Sequence, residues 1–198
     1  MTTPQDRNAI IALGSNQDFG EIPPKKILTQ AIDCLAALGL QPAAASRLYH
    51  TPCFPAGAGP DYINAVVRVG VPAQMTALQV LALLHQIEAK FGRARSTRWA
   101  GRTLDMDLIA LGDEVAPDLA GFRHWQGLPP EAQSRLAPDQ LILPHPRLQD
   151  RGFVLVPMAD VAPDWRHPVL GLTVVQMLAA LPDAARAEVV AAASDASV

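Results

Sequence analysis

The sequence predicts an α+β fold of ferredoxin-like order, β-α-β-β-α-β: an antiparallel sheet with helices packed on one face, plus a C-terminal extension. Three observations carry this expectation. Two segments have apolar residues at helical spacing, and each stops at a glycine, Gly39 or Gly92. Short apolar or alternating runs stand before, between and after them. The third is 98–113, RWAGRTLDMDLIALGD, which alternates as a closing strand and ends at a glycine.

Each element has its own justification. Residues 9–13 (AIIAL) run into Gly-Ser-Asn, the pattern of a buried strand meeting a tight loop. Pro23 and Pro24 suit the first turn of a helix whose stripe is Ile27, Ala31, Leu35 and Leu38. Residues 43–49 read as a weaker second strand, and 51–60 (TPCFPAGAGP) as a loop. In 62–69 (YINAVVRV), Tyr62, Asn64, Val66 and Arg68 share one face, while Ile63, Ala65, Val67 and Val69 make the core face. Thr76 and Gln79 form a capping box for a second helix, with Met75, Leu78, Leu81, Leu84, Ile87 and Phe91 as its apolar stripe.

Beyond the third strand the pattern weakens. Residues 114–140 are expected to be irregular, with a long insertion at about 117–139 pinned chiefly by Trp125, beside Phe122 and Leu128. Within it, 129–137 can form one or two helical turns behind Pro130. Segment 141–165 reads as a short strand, a Pro-His-Pro turn and a short helix. A last helix starts at Thr173, capped with Gln176, and 183–198 is expected to fray.

The 198 residues suggest one domain over 1–182, and 49% hydrophobic residues suffice for a core. A net charge of −3 argues against a general nucleic-acid binder. Cys34 and Cys53 are too few for a disulfide framework or zinc site. The start MTTPQDRNAI lacks the features of a secretion signal. No apolar run approaches the roughly 18 residues of a membrane span. The chain is therefore read as a soluble, cytoplasmic monomer without nucleic-acid or membrane partners.

Chemistry concentrates in the closing strand. Asp105 and Asp107 point to one face, where two carboxylates repel each other unless a cation joins them. Asp is disfavoured in strands, and the same face continues with Ile109 and Leu111, so a purely solvated face is a poor account. Arg93, Arg95, Arg98 and Arg102 precede the pair, with no acid in 89–104. Carboxylates that hold Mg²⁺, flanked by guanidiniums that grip phosphate oxygens, suit phosphoryl transfer. There is no P-loop pattern. Removing one of the two repelling carboxylates is expected not to destabilise the protein. Phe54, Tyr62, Trp99 and Phe153 lie near polar segments; they are either core aromatics or rings that sandwich a flat heterocycle, with Asn64 reading its edge.

Motifs in order complete the picture: Ala12-Leu-Gly-Ser-Asn16, Tyr49-His-Thr-Pro52, Asp61-Tyr-Ile-Asn64, Glu88, Gly92-Arg-x-Arg95, Arg98-Trp99, Arg102-Thr-Leu-Asp-x-Asp107, and Pro144-His145 through Arg151-Gly-Phe153. Over about 8–165 this resembles the 6-hydroxymethyl-7,8-dihydropterin pyrophosphokinase family of folate biosynthesis. The resemblance implies transfer of the terminal pyrophosphoryl group of ATP to the pterin hydroxymethyl oxygen, with release of AMP. It implies that Asp105 and Asp107 bind two Mg²⁺ and that Arg93 and Arg102 act on the phosphates with Asp107 in catalysis. Glu88, Arg95, His145 and Arg151 fall at ATP-side positions; Thr51, Pro52, Phe54, Tyr62, Asn64, Trp99 and Phe153 fall at pterin-side positions. His50, Cys53, Gln140 and Pro146 depart from the family's frequent residues, and the 117–139 connection is longer than in compact members. Two rivals from other classes are a nucleotidyltransferase, which would release pyrophosphate, and a non-catalytic RNA-binding module, which would leave the Asp pair unexplained.

Overall fold

β1 (Arg7–Ser15) runs through the middle of an antiparallel sheet, paired on one side with β4 (Tyr62–Val71) and on the other with β5 (Asp105–Leu111). In this computed structural model, which describes residues 7–53, 57, 59–92 and 102–193, β4 also pairs with β2 (Gln41–Ala45) and β3 (Tyr49–Thr51). β3 in turn pairs with β6 (Val190–Ala191), giving the order β5-β1-β4-β3-β6 with β2 beside β4.

One face of the sheet carries the expected core. Ile11, Leu13, Ile63, Ala65, Val67 and Val69 meet α1 (Pro24–Ala37) and α2 (Ala77–Lys90). The Thr76–Gln79 capping box forms as expected. The α2 stripe holds at Leu84, Ile87 and Phe91, which are buried, but in the first turn Ala77 and Val80 are buried in place of Leu78, which is exposed.

The expectation of helices on one face is corrected. α5 (Gly152–Val161) and α6 (Val174–Ala180) cover the other face, packing Val154, Leu155, Met158, Val174 and Met177 on Ile10, Val66 and Ile109. The physical reason is legible in α5, whose GFVLVPMADV has almost no polar side to show water. Asp160 fastens this helix to the sheet, accepting from Tyr49 Oη at 2.8 Å and Arg47 Nη2 at 3.2 Å.

Four further segments differ from expectation. The strand read at 43–49 is two strands, broken after Ala45 where the Ser46 hydroxyl accepts from Val66 N–H at 2.9 Å. The insertion contains an unexpected helix, α3 (Leu119–Gln126), whose N-cap Asp118 Oδ1 accepts from Gly121 N–H at 2.8 Å, beside α4 (Pro130–Arg135), which falls where one or two turns were expected. Phe122, fully buried, anchors it; Trp125 is only half-buried. No strand forms in 141–165, where a single bridge joins Leu143 to Ala116 before α5. Residues 183–193, read as part of a loose tail, carry α7 (Asp183–Ala187) and β6. Among the described residues no helix is long and apolar enough to cross a membrane.

Candidate active site

The site begins as a row across three strands. Gly14 in β1 stands opposite Asn64 in β4 and Asp105 in β5, and Ala12 stands opposite Val66 and Asp107. Directly opposed residues share a face, so Asn64, Gly14 and Asp105 line up on the face that α5 covers further along. Gly14 leaves a gap in this row: a Cβ there would lie 2.9 Å from Asn64 Oδ1 and 3.8 Å from Tyr62 Cδ1. Two strand spacings separate Asn64 from Asp105, about 10 Å of backbone.

At the β5 end the carboxylates have guanidinium partners. Arg102 Nη1 donates to Asp105 Oδ2, and Arg151 Nη1 lies 3.7 Å from Asp107 Oδ2. Burial opposes the Arg102 charge, but Asp105, with help from Tyr62 and Asp107, holds its pKa above the ordinary value. Burial lowers Arg151, with Asp107 pulling the other way. Arg151 sits at the N-cap of α5, its guanidinium carbon 5.5 Å from the Phe153 ring centroid. The next residue, Gly152, is obligatory because a Cβ there would meet Ala185 O of α7 at 2.4 Å.

His145 runs beside β5, its N–H donating to Ile109 O at 2.8 Å. Burial, reinforced by Arg151 and Arg147, holds its pKa well below the usual histidine range, so it is neutral at pH 7. Its Nδ1 accepts from Arg147 N–H at 3.1 Å, which leaves the proton on Nε2. Glu88, only 1% exposed, turns into the protein, where Oε1 accepts from Met106 N–H of β5 at 2.7 Å.

At the β4 end Asn64 Nδ2 donates to Thr51 Oγ1 at 2.7 Å, both buried. Tyr62 is half-buried and Pro52 exposed; Phe153, 39% exposed, leaves much of its ring uncovered by protein. The structure thus brings Thr51, Tyr62, Asn64, Arg102, Asp105 and Asp107 onto one end of the sheet, with Arg151 reaching it from α5. Phe54, Arg93, Arg95 and Trp99 lie outside the described residues. Of the departures, His50 in β3 pairs with Val190 in β6, and Gln140 is exposed.

Two residues of the Ala12–Asn16 motif have roles that the sequence does not reveal. Gly14 is the gap in the row, and Asn16, 3% exposed, bonds to two segments at once. The signal was a polar Ser-Asn pair ending an apolar strand, which needs buried partners.

Fold and site together define a mixed helix and antiparallel-sheet protein with an acidic pair faced by guanidiniums, in line across the sheet with a buried amide–hydroxyl pair. The chain belongs to the 7,8-dihydro-6-hydroxymethylpterin-pyrophosphokinase (HPPK) family, whose model matches residues 10–163. It is 36% identical over 175 residues to the 2-amino-4-hydroxy-6-hydroxymethyldihydropteridine pyrophosphokinase of Synechocystis sp., covering 88% of this chain and 76% of that one. Its identity to the Pseudomonas aeruginosa protein of the same name is 32% over 173 residues, covering 87% and 90%. Its fold resembles the Plasmodium falciparum HPPK-DHPS structure, with a TM-score of 0.61 at 14% identity, covering 90% of this chain and 45% of that longer one.

Proposed function

We propose that this protein transfers pyrophosphate from ATP to the hydroxymethyl group of 6-hydroxymethyl-7,8-dihydropterin, releasing AMP, as in folate biosynthesis. The observation that carries this is the row Asn64–Gly14–Asp105: an amide that can read a heterocycle and a carboxylate that can serve a phosphate, joined by a floor with no side chain. The strand order β5-β1-β4, with β2 and β3 beyond, supports a ferredoxin-like reading of the frame.

Asp105 and Asp107 fit Mg²⁺: hard carboxylate oxygens on one face, already balanced by cations that phosphates can draw away. Two bound Mg²⁺ would supply charge neutralisation along the triphosphate. Arg102 and Arg151 are placed to turn from the carboxylates to phosphate oxygens, and Arg102 acts where charge develops. Neutral His145 offers Nε2–H to an oxygen of the nucleotide. Glu88 holds β5, and so the pair, in place. Asn64 and Thr51 orient the pterin, Tyr62 and Phe153 flank it, and Pro52 borders it. Arg93, Arg95, Trp99 and Phe54 complete the site by the resemblance. Pyrophosphoryl transfer rests mainly on alignment and charge stabilisation, so no side chain is assigned as general base.

Product analysis tests the reading. With ATP, Mg²⁺ and the pterin alcohol, AMP and the pterin diphosphate should form in equal amounts. Pyrophosphate release instead of AMP would show a nucleotidyltransferase.

A further inference from the structure

Asn16 follows β1 directly and ties together the two halves of the site. Its backbone N–H donates to Arg102 O at 3.0 Å, and its Oδ1 accepts from Arg102 N–H at 2.8 Å. These two bonds extend the β1–β5 ladder past the Gly14–Asp105 pair, so the backbone from which the Arg102 guanidinium reaches Asp105 is fixed by one asparagine. The other arm, Nδ2, donates to Pro60 O at 3.0 Å. Pro60 precedes Asp61, whose Oδ1 accepts from Cys53 N–H at 3.3 Å, and Tyr62, which starts the strand carrying Asn64.

We infer that Asn16 is a positioning residue that sets the separation between the phosphate side and the pterin side of the site. The inference rests on the pyrophosphokinase reading. The chemistry requires asparagine: one arm must accept and the other must donate. Serine is too short to reach both partners, and an ionised aspartate accepts on both arms and faces the Pro60 carbonyl with negative charge. A protonated aspartate restores one donor. Asn16 touches no reacting atom; it governs where the attacking oxygen stands relative to phosphorus, and misplacement by about 1 Å can cost on the order of a hundredfold in rate.

The test uses the full chain with Asn16→Ala and Asn16→Asp. The expected result for both at pH 8 is a kcat lowered by about tenfold or more, with dissociation constants for a non-hydrolysable Mg-ATP analogue and for the pterin changed by less than about threefold. The Asn16→Asp deficit, relative to wild type at each pH, should shrink as acidification returns a proton to the buried carboxyl, while the Asn16→Ala deficit stays constant. If Asn16→Ala fails to fold, the isosteric Asn16→Asp carries the test alone. Wild-type kcat in Asn16→Asp, a deficit that ignores pH, or a loss confined to substrate binding would each overturn the inference while leaving the function intact. A wild-type chain that forms no AMP would overturn the function and this inference with it.

Discussion

At the scale of single residues, Asp107→Ala is expected to lower activity by at least about a hundredfold, measured as AMP formation. Its effect on stability departs from the sequence expectation. Repulsion between carboxylates suggested no penalty, but each aspartate already has a guanidinium, so truncation leaves Arg151 without its counter-charge. Asp107 is substantially exposed, so the cost should be under about 1 kcal/mol by urea denaturation. A gain in stability would show that the pair is still strained by repulsion. Gly14→Ala separates the two half-sites differently. The new methyl would press on Asn64 Oδ1 and disturb the amide held by Thr51. The KM for the pterin should rise with roughly 1–3 kcal/mol of lost interaction, while nucleotide affinity is retained. An unchanged pterin KM would remove Asn64 from the pocket.

At the scale of elements, the insertion shows what the sequence could and could not say. Its prolines suggested irregularity, yet Asp118 as N-cap and Gly127 just past the end were readable signals for α3. They are weak signals because eight residues give too few turns for a period to stand out. The site strand was the opposite case: Asp105, Asp107 and Arg102 were legible from charge and spacing, since their chemistry is unusual for a strand. Asn16 was not, because its partners at 60 and 102 are distant in sequence and only the fold brings them near. The cover on the second face is written in the sequence only in the nearly all-apolar composition of α5. The insertion itself is expected to lie outside the chemistry. Ala116 and Leu143 exchange backbone hydrogen bonds at its base, 3.0 Å each, so its ends stay together without it. Replacing 118–138 with a short Gly/Ser link should leave kcat within about tenfold. Phe122→Ala, which empties a fully buried site, should cost about 3–5 kcal/mol of stability, read from urea denaturation. A folded, ATP-binding deletion variant without turnover would place the segment in the active site.

At the scale of the whole molecule, acid should loosen the fold through His167. This residue is fully buried beside Phe122, 5.4 Å between ring centroids, and burial lowers its pKa to about 4. Its Nδ1 accepts from Val169 N–H at 3.2 Å and Leu170 N–H at 3.3 Å. Because the folded pKa lies below the unfolded value near 6.5, the unfolded chain binds the extra proton first. The contribution is therefore complete above about pH 6.5 and lost progressively down to about pH 4, by up to about 3 kcal/mol. His167→Asn, which keeps an acceptor, should flatten that slope in urea titrations across the window; an unchanged slope would assign it to other groups. The position of β5 has a colloidal consequence. It closes the sheet at one end, and a bare strand edge is a template for another chain. Glu88 occupies the Met106 N–H and the His145 segment occupies the Ile109 carbonyl, so the strand that bears the two aspartates is also sealed against self-association. Glu88→Ala should accordingly raise light scattering on mild heating before the bulk of the protein unfolds, so that the shelf life of this chain in solution depends on a carboxylate buried behind its own active strand.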